Sequence, residues 1–112
     1  MYHKFQCHLT ETVEATAYQR KKELWDIEGI LKNRSNRRFK FDLRPTEKVK
    51  NKIGKKGYFN SKADKIVFEH KHEYIILDVE ELHQYLKDNS KRVVDLEELA
   101  SKLEWCIILP CH

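Results

Sequence analysis

Residues 25–31, WDIEGIL, and 39–44, FKFDLR, alternate their side chains with a period of two. Trp25, Ile27, Gly29 and Leu31 stand against Asp26, Glu28 and Ile30. Phe39, Phe41 and Leu43 stand against Lys40, Asp42 and Arg44. That period is what a half-buried strand requires, because successive side chains leave opposite sides of an extended backbone, whereas a helix would scatter them around its circumference. The connector at 33–36, NRSN, is rich in turn formers, and Pro45 closes the second run because proline cannot donate to a ladder. An antiparallel hairpin, apolar on one face and charged on the other, is the simplest pairing.

The remaining pattern fills in around it. Residues 66–68, IVF, and 74–77, YIIL, are β-branched and aromatic runs parted by EHKHE, which predicts a second, more buried hairpin. Asp78 with Glu81 has the form of a capping box before Val79, Leu82 and Leu86, and Asn89 suits the end of that helix. Asp95 with Glu98 repeats the device before Leu96, Leu99 and Leu103, and EWCIILP supplies a last strand. Near the start, Thr10 suits the N-cap of a helix running to about Glu23, with Val13, Ala17 and Leu24 at helical spacing. Residues 46–62 hold all but one of the glycines and little apolar content, so a mobile basic loop is expected there, with Tyr58 and Phe59 either anchoring its turn or offering surfaces on which exposed bases stack. The expected class is α/β, with α+β as the alternative: a single central mixed sheet of about five strands with flanking helices. At 112 residues, one compact domain spanning 1–112 is expected.

Charge is unevenly spread. Lys32 to Lys65 carries thirteen basic and three acidic residues, net +10, while residues 1–31 sum to −1 and 66–112 to −5. A block of this kind attracts polyanions, chiefly by neutralising phosphates and releasing counterions; a solvated lysine-rich loop is the plainer alternative. Arg34, Arg37 and Arg38 at the hairpin tip, Lys40 on the strand, and Lys48, Lys50, Lys52, Lys55 and Lys56 beyond it are the candidate contacts to DNA or RNA. Twelve aromatic residues argue for a folded chain even though 36% of it is charged. No apolar run approaches the ~20 residues of a membrane span, and the N-terminus lacks a signal-peptide core, so a cytoplasmic protein without a membrane partner is expected.

On the charged faces of the first hairpin, Asp26 and Glu28 project together, as do Lys40, Asp42 and Arg44. Two outcomes are open. Opposite charges across a strand pair decorate many exposed sheets, each pair contributing roughly 0.2–1 kcal/mol. Alternatively, Asp26 and Asp42 could hold a divalent magnesium ion where it polarises a scissile phosphate.

The order helix, WDIEGIL, FKFDLRP, basic turn, GYFNSKADKIVFE, EYIILDVEELHQYL and WCIILP resembles the αβββαβ core of the PD-(D/E)XK, or restriction-endonuclease-like, nucleases. The resemblance implies a metal-dependent phosphodiesterase site of Glu14 (or Glu11) on the first helix, Asp26, Asp42 and Arg44, with Mg2+ on Asp26 and Asp42. It also implies that residues 61–64 open the following strand. Arg44 stands where the family has its lysine, and arginine keeps its proton. The resemblance therefore leaves room for a relative that has kept phosphate binding and lost cleavage. A further alternative is a small inhibitor or immunity-type protein of phage or mobile-element origin that docks on a protein partner through its charged faces.

Zinc is not expected. His70, His72 and His83, with Cys7, His8, Cys111 and His112 near the ends, lack the close ligand pair of a structural site. The three cysteines have no CxxC spacing and are expected as reduced packing residues.

Overall fold

The computed structural model describes residues 2–34, 36–45, 52–54, 62–70, 72–89 and 93–110. It is a mixed α/β arrangement around one open six-stranded sheet, one strand more than expected. A helix α1 (Tyr2–Gln6) leads into β1 (Leu9–Glu14), a short α2 (Ala17–Lys22), β2 (Ile27–Leu31) and β3 (Arg38–Pro45). After β4 (Lys52–Gly54) come β5 (Lys65–His70), β6 (Glu73–Asp78), α3 (Val79–Asp88), β7 (Val93–Asp95), α4 (Leu96–Lys102) and β8 (Cys106–Pro110). The sheet order is β1-β2-β3-β5-β6-β8, and β4 and β7 form a separate two-stranded ribbon. Every pair in the large sheet is antiparallel except β3–β5.

Both expected hairpins form. Ile27 pairs with Phe41 and Glu28 with Lys40, and Asn33 takes a left-handed φ of 59° in the turn, which asparagine tolerates. Gly29 lies where β1 approaches closely: a Cβ there would meet the Thr10 carbonyl oxygen at 3.2 Å. In the second hairpin Lys65 pairs with Asp78 and Val67 with Ile76. Residues 65–68 and 74–77 are buried on both faces, as a strand pair covered on two sides must be. One side packs Ile66, Phe68, Ile75 and Leu77 against Leu82 and Leu86 of α3 and Leu96 and Leu99 of α4. The other packs Ile27, Phe41, Val67 and Ile76 around Phe5 of α1, which is fully buried.

Three local expectations change. The helix from Thr10 to about Glu23 is instead an edge strand followed by a six-residue helix. Residues 9–14 are rich in threonine and valine, and Val13, which helical spacing would place on the core, is 53% exposed. The cap is Thr16: its hydroxyl accepts the Gln19 N–H while the Gln19 side chain accepts the Thr16 N–H. That threonine-x-x-glutamine box is the better capping signal, and Leu24 at φ 61° ends the turn. Within the expected basic loop, Lys52–Gly54 form β4; Lys48, Lys50, Lys55, Lys56, Tyr58 and Phe59 lie outside the described residues. At α3, Asp78 caps the Glu81 N–H as expected, but the Glu81 carboxylate accepts instead from the Glu104 and Trp105 N–H groups, at 2.6 and 2.9 Å. Those bonds fix the turn into β8.

Candidate nucleic-acid interface

Main-chain bonds bring together the segments that carry the expected acids. Ala15, directly after Glu14, donates to the Asp26 carbonyl at 3.0 Å, and Asp26 donates to the Phe41 carbonyl at 2.8 Å. Glu14 ends β1, Asp26 stands one residue before β2 and Asp42 lies in β3; the register sets Glu14 opposite Ile27, the neighbour of Asp26. Glu14 sits at the end of β1, not on a helix. The side chains are already engaged. Arg20 reaches from α2 to Glu14 at 3.1 Å and stands 4.0 Å from Asp26, whose other oxygen accepts the Leu43 N–H at 2.8 Å. That last bond adds a rung to β3 where β2 has not yet begun.

Asp42 is only 3% exposed. It leaves β3 on the same side as Ile66, its partner in parallel register, and so faces the layer covered by α3 and α4. Arg44 holds it with two parallel bonds, Nε to Oδ1 at 2.9 Å and Nη2 to Oδ2 at 2.8 Å. A planar guanidinium matches a carboxylate in this way; an ammonium could not. Among the described residues, no three His, Cys, Asp or Glu side chains gather as a metal-ligand set.

The basic residues follow a different rule. Lys32, Arg34 and Arg37 are exposed at the β2–β3 turn. The Arg37 guanidinium stands 5.5 Å from the Phe39 ring centre. Arg38 pairs with Glu28 at 2.8 Å, the cross-strand decoration that alternating charges allow. Lys40 lays its ammonium 5.2 Å from the centre of the Trp25 ring, and its main chain exchanges bonds with Asp64: the Lys40 N–H donates to the Asp64 carboxylate and the Asp64 N–H to the Lys40 carbonyl. Lys52 opens β4.

Two groups of residues escape the sequence pattern. The first is Lys21 and Lys22, exposed on the last turn of α2, in a third of the chain whose charge sums to −1. The Lys62 N–H donates to the Glu23 carbonyl at 2.7 Å, and this bond brings the end of α2 to the start of β5. The run YQRKK is visible in the sequence, but the bond that joins it to the +10 block is not. The second is Lys65, which the sequence shows only as part of that block, yet it is 5% exposed. Its ammonium bonds Asp78 at 2.7 Å and lies 3.8 Å from the Trp105 ring centre and 4.6 Å from that of Phe39.

Of the cysteines, Cys7 is exposed rather than packed, and Cys111 lies outside the described residues. Cys106 packs against the helix-side core, where burial, and after it the nearby Glu81 carboxylate, pushes its thiol pKa up. Among the described residues no helix is long and apolar enough to cross a membrane. Comparison with protein-family models, with curated proteins and with solved structures finds no match to this chain.

Proposed function

We propose that this protein binds DNA or RNA along the phosphate backbone, through a basic surface made of the β2–β3 turn, the start of β5 and the last turn of α2. One observation carries the reading: the Lys62–Glu23 main-chain bond brings the end of α2, with the exposed Lys21 and Lys22, to the exposed Lys62 at the start of β5. Exposed cations of this kind can exchange condensed counterions for phosphates, which gives affinity without requiring base contacts. Three of the acids in the same region pair with arginines, Glu14 with Arg20, Glu28 with Arg38 and Asp42 with Arg44, so each cancels an arginine's charge and the field that a polyanion meets comes from the cations outside these pairs.

A second reading, a magnesium-dependent phosphodiesterase of restriction-endonuclease-like descent, draws support from the approach of the segments that carry Glu14, Asp26 and Asp42. To reach Asp42, a metal would have to displace a bidentate guanidinium. We therefore favour a scaffold that holds phosphates and does not cleave.

Titration of labelled single- and double-stranded DNA and RNA, with and without magnesium, separates these readings. The expected outcome is a Kd on the order of 10⁻⁶–10⁻⁴ M near physiological salt, weakening steeply as salt rises, with substrate length unchanged. Cleavage that needs magnesium and vanishes in Asp42→Ala would establish the second reading. A flat salt dependence would overturn the first, and a stoichiometric protein complex without nucleic-acid affinity would point to the docking alternative.

A further inference from the structure

Tyr18, on the short helix α2, is 68% exposed, the most open of the large apolar side chains among the described residues. We propose that its ring stacks on an unpaired base, so that the basic surface takes nucleic acid where it is single-stranded. This rests on the nucleic-acid reading above and names the class of strand that reading leaves open.

An exposed aromatic alone carries no meaning, since scattered apolar side chains are ordinary on a protein surface. The company of Tyr18 is what matters. An α-helix turns about 100° per residue, so Lys21 and Lys22 stand within about 60° of Tyr18 around the axis while Arg20 stands roughly opposite. Arg20 marks the side that faces the protein: it reaches Glu14 at 3.1 Å and stands 4.0 Å from Asp26. The outward face is therefore made of Tyr18, Lys21 and Lys22, all exposed, and residues 17–22 contain no acid. The other two open apolar side chains lack such neighbours: Val13 lies between Thr12 and Glu14, and Ile108 in the uncharged run CIILP.

Nor does Tyr18 hold the fold. α2 buries no side chain; it is fixed by the Thr16–Gln19 capping box, by Arg20 and by the Glu23 carbonyl, which accepts the Lys62 N–H. A ring left in water gains when a flat apolar face covers it, and a base of a single strand supplies such a face. In a duplex both faces of each base are already stacked on its neighbours. Charge decides between a base and an apolar protein side chain as the cover. Two ammonium groups beside the ring, with Lys62 exposed at the start of β5, match a polymer on which phosphates and bases alternate.

The test compares a short single strand and its duplex, each as DNA and as RNA, with an abasic DNA strand of the same length, by fluorescence anisotropy over a range of salt. Tyr18→Ala is expected to weaken the single strand roughly tenfold, the size of one stacked base, and to leave the duplex unchanged. The abasic strand should bind the unaltered protein about as weakly as the normal strand binds Tyr18→Ala, and Tyr18→Ala should cost it nothing further, because both changes remove one contact. Tyr18→Trp should keep the affinity. The slope against salt should stay the same in Tyr18→Ala, since no phosphate contact is lost. A single-strand affinity untouched by Tyr18→Ala, or a loss equal for single strand and duplex, overturns the proposal and leaves the nucleic-acid reading standing. An abasic strand bound as tightly as the normal one does the same. If no form binds the unaltered protein, the proposal and the reading beneath it both fall.

Discussion

Two antiparallel hairpins in the same sheet use their side chains in opposite ways. In β5–β6 both faces are apolar apart from the Lys65–Asp78 pair at its open end, and Val67, Ile76 and Leu77 are fully buried. In β2–β3 only one face is, and the other carries Glu28, Arg38, Lys40, Asp42 and Arg44. The first pair joins the two cores through the middle of the sheet. The second is anchored on one side by Ile27, Leu31, Phe39 and Phe41 and turns its remaining face into an ordered ionic surface. Stability is concentrated in one hairpin, and charge chemistry in the other.

This contrast can be broken by substitution. Ile76→Ala opens a cavity in the core on the Phe5 side of the sheet and should cost about 2–5 kcal/mol of unfolding free energy, read from urea denaturation. A loss under about 1 kcal/mol would mean that β5–β6 does not carry the core. Asp42→Ala strands Arg44, whose side chain is 30% exposed and so partly rescued by water. The expected loss is roughly 2 kcal/mol, below the ~3–5 of a fully buried pair. If Asp42→Ala costs nothing, the ionic face is decoration even where it is buried. Lys65→Met keeps the volume and leaves Asp78 capping α3, so about 1–2 kcal/mol should go. At the small end, Arg34→Ala and Arg37→Ala should change stability by less than about 0.5 kcal/mol while reducing nucleic-acid affinity. Thiol labelling sharpens the picture locally: exposed Cys7 should react well before Cys106, whose raised pKa keeps it protonated to higher pH.

How much of this could be read from the sequence follows from the range of the interactions. The hairpins were legible because a period of two is written into consecutive residues, and α3 because Asp78 and Asn89 signal its ends locally. The first thirty residues misled because Val13 and Ala17 fit a helical stripe, while the true cap, Thr16 with Gln19, lies six residues beyond Thr10. Pairing of the acids with arginines was half legible: Asp42 and Arg44 stand two apart, but Arg20 reaches Glu14 through a tertiary turn. The burial of Lys65 was not legible at all. It depends on Trp105, forty residues away, held in place by the Glu81 carboxylate, and no local pattern encodes that.

That α2 and the basic hairpin act as one surface is tested most directly by the salt dependence of nucleic-acid affinity in Lys21→Ala/Lys22→Ala beside Arg37→Ala/Arg38→Ala. Each pair should lower the slope of log K against log salt, by about 0.7–0.9 for every phosphate no longer neutralised, and the four-residue variant should show the sum of the two reductions. A slope unchanged by Lys21→Ala/Lys22→Ala, with the hairpin pair still effective, would contradict the joint surface proposed from the Lys62–Glu23 bond.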